Sequence, residues 1–237
     1  MSLSASIPAL KSRARKLRRA EAIPLCEALD RVAAAEGYST WSLLVARAAS
    51  RERDLLDRLD PGDLVLLGAR PGQGKTLCAL QLLVSSLRRC GQGWFFALQN
   101  DAFDIDATLE RLGERRSAFG EAFVFEHSDE ICAEHVIERV GDAVSRKAIV
   151  VIDYLQLLDQ RRKSPNLQQQ VTGLAALAQR TGCIIVLISQ IRSAFDATAR
   201  RLPTIDDVRL LDDVDASIFS KLVFLHEGRV RLRRNST

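Results

Sequence analysis

The stretch LVLLGARPGQGKTLCALQLL, residues 64–83, decides the fold. Its first part is an apolar run typical of a buried strand, its middle is rich in glycine, and its last part has apolar residues at helical spacing. A strand, a glycine-rich loop and a helix in that order form the setting of a phosphate-binding loop, or P-loop. The sequence therefore predicts a nucleotide-binding domain built around this segment.

The loop follows a variant of the P-loop pattern G-x-x-x-x-G-K-[ST]. The strict pattern places its first glycine at Ala69, whereas the chain has Gly68 one residue earlier. The later glycines let backbone N–H groups approach a phosphate, and the N-terminus of the following helix adds its positive dipole end. Lys75 is predicted to reach the β- and γ-phosphates and Thr76 to ligate Mg²⁺. The predicted nucleotide-binding residues are Ala69, Arg70, Pro71, Gly72, Gln73, Gly74, Lys75, Thr76 and Leu77.

Short β-rich runs alternate with helical stretches from residue 63 onward. Runs that are apolar on both faces are typical of strands in a parallel sheet covered by helices. Ser164 and Pro165 are predicted to be the N-cap and first turn of one helix, and Glu227 and Gly228 to be the turn of a closing hairpin at a sheet edge. We expect a doubly wound α/β fold with a mostly parallel sheet flanked by helices. The predicted strands are DLVLLG, GWFFAL, AFVFEH, AIVVID, CIIVLIS, KLVFLH and RVRLR.

The first part of the chain predicts a small helical module. Apolar residues recur at helical spacing from Ile7 to about Arg58, with a break at Gly37. Thr40 is the expected N-cap of the helix after that break. This order is similar to a helix-turn-helix, and the alternative is a tight helical hairpin that serves only packing.

Charge and turn residues separate this module from the rest of the chain. Residues 1–58 hold eleven Lys and Arg against seven Asp and Glu. The run KSRARKLRR can follow nucleic-acid phosphates, or it can be a solvated helix face. Pro61 and Gly62 form a turn before the first strand. We therefore predict a basic helical module at residues 1–58 and the nucleotide-binding domain at residues 59–237.

Two further strands end in polar residues that are candidates for the site. KAIVVID ends in Asp153, whose carboxylate would meet Mg²⁺ across from Thr76; the alternative is an ordinary strand-end cap. CIIVLISQ ends in Ser189 and Gln190, and the amide of Gln190 can sense a γ-phosphate or relay its loss; the alternative is a plain surface glutamine. The predicted metal ligands are Thr76 and Asp153.

The segments ARPGQGKT, VVIDYLQLL and VLISQ, in that order and spacing, resemble the C-terminal ATPase domain of DnaB-type replicative helicases. The string DYLQL distinguishes this family from P-loop kinases, GTPases and other RecA-like proteins. The similarity covers roughly residues 58–215. It implies a RecA-like P-loop NTPase fold, ATP with Mg²⁺ as cofactor, assembly into a homo-oligomeric ring and movement on single-stranded DNA.

One departure from that family concerns catalysis. In the family, the strand after the P-loop helix ends in a glutamate that polarises the attacking water, and the matching residue here is Gln99. An amide cannot accept that proton, and Asp101 is the alternative base. The predicted catalytic residues are Lys75, Gln99, Asp153 and Gln190. The chain is then either a helicase-related ATPase with slow hydrolysis or an ATP-dependent binding switch, and DYLQL disfavours a third class, a small-molecule P-loop kinase.

Other departures concern assembly and DNA. The large N-terminal helical domain of the family is replaced by residues 1–58. The closing hairpin of the family carries a basic finger, for which Arg229 and Arg231 are the candidates here. Two basic loops either face DNA or are solvated charge, and their cations are Arg161, Arg162 and Lys163 in one loop and Arg192, Arg200 and Arg201 in the other.

Composition disfavours several other classes of protein. Five scattered cysteines without a C-x-x-C pattern predict reduced thiols and no structural metal. The longest apolar runs are far shorter than the roughly 20 residues that cross a bilayer. The basic N-terminus has no apolar segment of the kind that a signal peptide needs. We expect a cytoplasmic protein without a membrane partner.

Overall fold

A computed structural model describes the chain except for residues 1–3, 6, 45–54, 90, 98–99, 129, 143, 156–157, 159–164, 193–202, 209–213, 227–228 and 236–237. Short single-turn helices join some of the longer elements. None of the helices in the described ranges is long and apolar enough to span a membrane. The main elements are α1 (Ile7–Glu21), α2 (Leu25–Ala35), β1 (Leu64–Ala69), α3 (Lys75–Leu87), β2 (Gly93–Ala97), α4 (Ala102–Arg111), β3 (Phe123–His127), α5 (Ala133–Val140), β4 (Ile149–Asp153), α6 (Leu167–Thr181), β5 (Ile184–Gln190), β6 (Lys221–His226) and β7 (Arg229–Arg234).

The strands form one seven-stranded sheet in the order β3-β2-β4-β5-β1-β6-β7. Neighbouring strands from β3 to β6 are parallel. The last strand, β7, is antiparallel to β6 and lies at the edge of the sheet. The predicted parallel sheet and the antiparallel pairing of its last two strands are confirmed, while the predicted turn residues Glu227 and Gly228 lie outside the described residues. Each predicted strand coincides with an observed one to within about one residue at either end.

The inner strands of the sheet are buried on both faces. Alternate residues of β4 point into two separate cores: Val150 and Ile152 pack on the side of α5 and α6, while Ile149 and Val151 pack on the side of α3 and α4. A parallel sheet covered by helices on both faces needs strands that are apolar throughout. This explains why the strand segments read as continuous apolar runs, and the predicted α/β class is confirmed.

The N-terminal helices have a small core of their own. Leu10 and Ala14 of α1 pack with Ala28 and Val32 of α2 and with Leu44. The helix was predicted to run unbroken to Gly37, and this was wrong, because α1 ends at Glu21 and α2 begins at Leu25. Ala22 adopts a left-handed backbone with φ of 53°, and Pro24 precedes α2 with φ of −58°. Since proline disfavours helix in the residue before it, the interruption has a local cause.

The turn after α2 follows the prediction. Gly37 has a φ of 83°, a conformation that glycine adopts without steric cost. Thr40 Oγ1 then accepts a hydrogen bond of 3.3 Å from the backbone N–H of Leu43. Thr40 is therefore the N-cap of the following helix, as its sequence position indicated.

Candidate nucleotide site

The loop between β1 and α3 has the backbone that its glycines predict. Gly72 and Gly74 adopt φ angles of 75° and 84°. A Cβ built at either position would meet no atom within 4 Å. Glycine is therefore required by the left-handed backbone and not by a lack of space for a side chain. The same open surroundings leave room for a phosphate beside the loop.

The N-terminus of α3 is available to an anion. Gly74 is the N-cap of this helix, and no side chain caps it. The first N–H groups of an α-helix have no partner within the helix, and a phosphate is well suited to accept from them. The nine predicted nucleotide-binding residues form this one continuous segment, in which Ala69 is buried, Pro71 and Gly72 are exposed, and Arg70 and residues 73–77 are half-buried.

Gly68 explains the variant pattern. It lies within β1 opposite Ser189 of β5 and Phe224 of β6. A Cβ at this position would come within 3.0 Å of the Phe224 ring and 3.1 Å of Ile191 Cδ1. This glycine therefore serves close packing in the sheet, whereas Gly72 and Gly74 shape the loop.

Asp153 and Thr76 meet at the carboxyl edge of the sheet. Thr76 Oγ1 donates a hydrogen bond of 2.9 Å to Asp153 Oδ2. Two adjacent oxygen ligands of an octahedral Mg²⁺ lie about 2.9 Å apart, because each metal–oxygen bond is about 2.0–2.1 Å. The two side chains predicted as metal ligands, one on α3 and one at the end of β4, are thus brought together as an oxygen pair that suits Mg²⁺.

Asn100 is a member of this site that the sequence did not reveal. Its Nδ2 donates a hydrogen bond of 2.9 Å to the same Asp153 Oδ2. Asp153 is only 5% exposed, so both donors help to keep its carboxylate ionised inside the protein. The position of Asn100 just beyond β2 was the available signal, because the carboxyl ends of parallel strands meet at one edge.

Burial acts in opposite directions on the two charged side chains of the site. It lowers the pKa of Lys75, and the negative charge of Asp153 opposes that change. It raises the pKa of Asp153, against the hydrogen bond from Thr76 and the charge of Lys75. Each charge is therefore unfavourable alone in this environment and partly compensated by the other.

Gln190 lies at the base of the loop. It is the last residue of β5, is half-buried and stands in register with Ala69, the last residue of β1. The N–H of Ile191 donates a hydrogen bond of 3.0 Å to the carbonyl of Ala69. The structure thus joins the end of β5 to the start of the phosphate-binding segment.

Some of the predicted residues lie outside the described part of the chain. Gln99 lies outside the described residues, as do the loop cations Arg161, Arg162, Lys163, Arg200 and Arg201. Asp101, the alternative base, is the N-cap of α4, and its carboxylate accepts a hydrogen bond of 2.9 Å from the N–H of Asp104. The two candidate finger residues, Arg229 and Arg231, are exposed on the edge strand β7.

A mostly parallel sheet with a glycine loop, a helix N-terminus and an acidic strand end at its carboxyl edge defines the RecA-like class of P-loop folds. Residues 125–218 match the family model of the DnaB-like helicase C terminal domain. This part of the chain is therefore similar to the ATPase domain of DnaB-type helicases, and the whole domain shares their fold. The matched range includes Asp153 and Gln190 and begins after the loop, whose assignment rests on its own sequence and backbone.

Solved structures share the fold at low identity. One is an ATPase domain, 18% identical over 78% of this chain and 82% of its own, with a TM-score of 0.56. Another is described as a DnaB-like replicative helicase and its interactions with primase; it is 18% identical over 92% of this chain, with a TM-score of 0.58. This chain covers 65% of the length of that second structure.

Asp153→Asn is expected to separate magnesium binding from folding. The amide keeps the size of the side chain but removes the charge, and an interaction with a charged group contributes about 1.5–3 kcal/mol. We expect the gain in ATP affinity on adding Mg²⁺ to fall at least about tenfold, while ATP binding in EDTA changes little. Titration calorimetry with and without Mg²⁺ measures both, and an unchanged gain would remove Asp153 from the metal site.

In EDTA, the stability of Asp153→Asn relative to wild type should depend on pH. Burial raises the pKa of Asp153 in the folded protein above its unfolded value. Between those two values the folded state binds the additional proton, so the free energy of unfolding decreases as pH rises through that window and stays reduced above it. Asp153→Asn lacks this loss. The stability of the variant relative to wild type should therefore increase with pH across the window, as followed by thermal unfolding.

Proposed function

We propose that this chain is an ATP-binding, DnaB-like ATPase that acts on DNA as a helicase or a helicase-related motor. The observation that carries this proposal is the Thr76–Asp153 oxygen pair, 2.9 Å apart, beside an N-terminus of α3 that no side chain caps. The match to the DnaB-like helicase C terminal domain supports the same activity.

The residues of the loop would bind the triphosphate of ATP. The N–H groups at the start of α3 and the loop backbone would donate to phosphate oxygens. Lys75 would supply the positive charge, and a negative triphosphate would favour the protonated amine that burial disfavours. Thr76 and Asp153 would hold Mg²⁺, which neutralises phosphate charge and polarises phosphoryl oxygens when it is bound.

Turnover by this site is proposed to be slow. Gln99 occupies the sequence position of the glutamate that polarises water in the family, and an amide orients water without accepting its proton. Gln190, beside the base of the loop, is proposed to contact the γ-phosphate. Loss of the γ-phosphate would then change the conformation of the segment that follows β5.

An ATP-dependent binding switch is the second candidate function. It is favoured by Gln99 and by Asp101, the alternative base, whose carboxylate is engaged in capping α4. A protein of this kind would bind MgATP, change shape or assembly, and release phosphate only rarely. Rates of phosphate release distinguish it from a motor.

The proposed partners are single-stranded DNA and further copies of this chain in a ring. The segments 159–164 and 193–202 come after β4 and β5 in the sequence and lie outside the described residues. Their arginines and lysine are proposed to contact DNA phosphates. The division into a helical module at residues 1–58 and an ATPase domain at residues 59–237 is part of this proposal, and Leu56 already packs in the core beside α3.

Size measurement tests the proposal directly. The protein is sized by light scattering alone, with a non-hydrolysable MgATP analogue, and with that analogue plus single-stranded DNA. A motor of this type should assemble when both ligands are present. Nucleotide binding without assembly or DNA affinity would favour the switch, and failure to bind any MgATP would reject both functions.

A further inference from the structure

The exposed side of α1 carries a row of positive charges that the nucleotide site does not use. Lys11, Arg15, Arg18 and Arg19 are all exposed. In an α-helix these four positions fall within an arc of about 100°. We call them the basic stripe.

The acidic residues that the structure describes in α1, α2 and the turn after α2 have partners outside the basic stripe. Arg31 pairs with Glu21 at 2.5 Å and with Glu27 at 2.7 Å. Asp30 accepts a hydrogen bond of 2.8 Å from the N–H of Trp41. Glu36 accepts one of 2.6 Å from the N–H of Ser4.

Only one cation of α1 has an acidic partner among the residues that the structure describes. Arg13 lies 3.8 Å from the carboxylate of Glu36, on another side of the helix from the basic stripe. The four cations of the stripe form no ion pair within the described part of the chain, so their charge is available to an external anion.

The surface around the basic stripe argues against a membrane or a protein partner. A helix that binds a membrane surface inserts an apolar face, but Leu10 and Ala14 of α1 are fully buried in the core of the module. A protein interface needs apolar anchors that become desolvated. The large apolar side chains exposed in the described residues are Leu43, Phe103 and Val230, and none of them is on α1.

The length and the number of charges of the basic stripe suit a nucleic-acid phosphate backbone. Lys11 and Arg19 are eight residues apart, which is about 12 Å along the helix. Duplex DNA carries one negative charge per about 1.7 Å of its axis, so about seven charges lie within that length. Four cations can therefore each find a phosphate. No aromatic side chain occurs in α1, so base stacking, which gives preference for single strands, has no source here.

We propose that the basic stripe of α1 is a second nucleic-acid site, which binds the phosphate backbone without sequence preference and without nucleotide. It deepens the proposed function by giving the ATPase domain another contact with its nucleic acid, but it does not depend on ATP. Duplex and single strands both bind, and the duplex shows the steeper dependence on salt because its charge density is higher.

The test uses the full-length chain and fluorescence anisotropy with labelled duplex and single-stranded DNA, in the absence of nucleotide. The variant replaces Lys11, Arg15, Arg18 and Arg19 by glutamine, which keeps helix propensity high. The slope of log affinity against log salt concentration should decrease by about one for each phosphate that the variant no longer neutralises. At about 0.1 M salt the affinity should fall at least about tenfold on both substrates.

Arg13→Gln is the matched control, because it removes a cation of the same helix that already has a carboxylate neighbour. Its salt slope should stay near that of wild type. A double variant, Arg15→Gln with Arg19→Gln, should show about half of the slope change and protects the test against misfolding of the quadruple variant, which circular dichroism checks. Repeating the titrations in Lys75→Ala should give the same decrease in affinity, so failure of the ATPase proposal leaves this one standing.

Other outcomes would overturn the proposal. It fails if the folded quadruple or double variant binds duplex DNA with the wild-type slope, or if Arg13→Gln loses as much affinity as the quadruple variant. It also fails if wild type binds phosphatidylserine vesicles or poly-glutamate as tightly as DNA at the same salt concentration, since the stripe would then bind a membrane or an acidic protein.

Discussion

Lys75→Ala is expected to abolish MgATP binding, with a loss of affinity of about a hundredfold or more. The ammonium group is the only lysine charge within the loop segment, and hydrogen bonds to charged groups contribute about 1.5–3 kcal/mol, which corresponds to about 10- to 150-fold. The triphosphate would also lose long-range attraction in a partly buried site. Titration calorimetry measures the affinity directly.

The control for this variant is Lys16→Ala, which removes an exposed lysine of α1. Burial lowers the pKa of Lys75, so its charge is unfavourable in the folded protein before nucleotide binds. Lys75→Ala removes that cost but also removes the charge that compensates Asp153, so the two effects oppose each other and the thermal stability should stay near that of wild type. A thermal unfolding curve near that of wild type then separates loss of binding from unfolding. An unchanged MgATP affinity in Lys75→Ala would end the P-loop assignment.

The strand positions and the loop were accessible from sequence because their causes are local. Strands buried on both faces must be apolar throughout, and the left-handed backbone at Gly72 and Gly74 must be glycine. The Thr76–Asp153 pair followed from one additional rule, that the carboxyl ends of parallel strands share an edge.

Other features depend on contacts between distant segments. The placement of β1 between β5 and β6 is set by pairing across most of the chain, and no local pattern contains it. Asn100 follows the same rule as Asp153, but a single amide after a strand is common, and only the 2.9 Å contact gives it a role.

Two helix boundaries were predicted wrongly although the sequence held the signal. Pro24 marks the break between α1 and α2. Ser164 was predicted to cap α6, whereas Asn166 does so: its side chain accepts a hydrogen bond of 2.8 Å from the N–H of Gln169. The pattern N-x-x-Q is a capping box, in which two residues satisfy each other's backbone donors. Its two hydrogen bonds outweigh the preference for proline near a helix start.

Gln99→Glu is expected to raise steady-state ATP hydrolysis at least about tenfold in the presence of single-stranded DNA, because general-base catalysis contributes about 10²–10⁴ in rate. The residue follows β2, the strand beside β4, whose last residue is Asp153. Glutamine and glutamate side chains are nearly the same size, so the substitution should change ATP affinity little. Phosphate release and calorimetry, measured on wild type and variant in parallel, give the rate and the affinity.

Asp101→Asn provides the matched comparison for Gln99→Glu. Asparagine caps a helix about as well as aspartate, so α4 keeps its N-cap while the carboxylate is removed. If Asp101 only caps, hydrolysis should stay at the wild-type level. A large loss in Asp101→Asn, together with no gain in Gln99→Glu, would make Asp101 the base. If neither variant changes the rate of hydrolysis, a group other than these two side chains, such as an arginine from a neighbouring copy, limits that rate. Only the combination of a gain in Gln99→Glu and no loss in Asp101→Asn would support the proposal that the amide of Gln99 slows turnover.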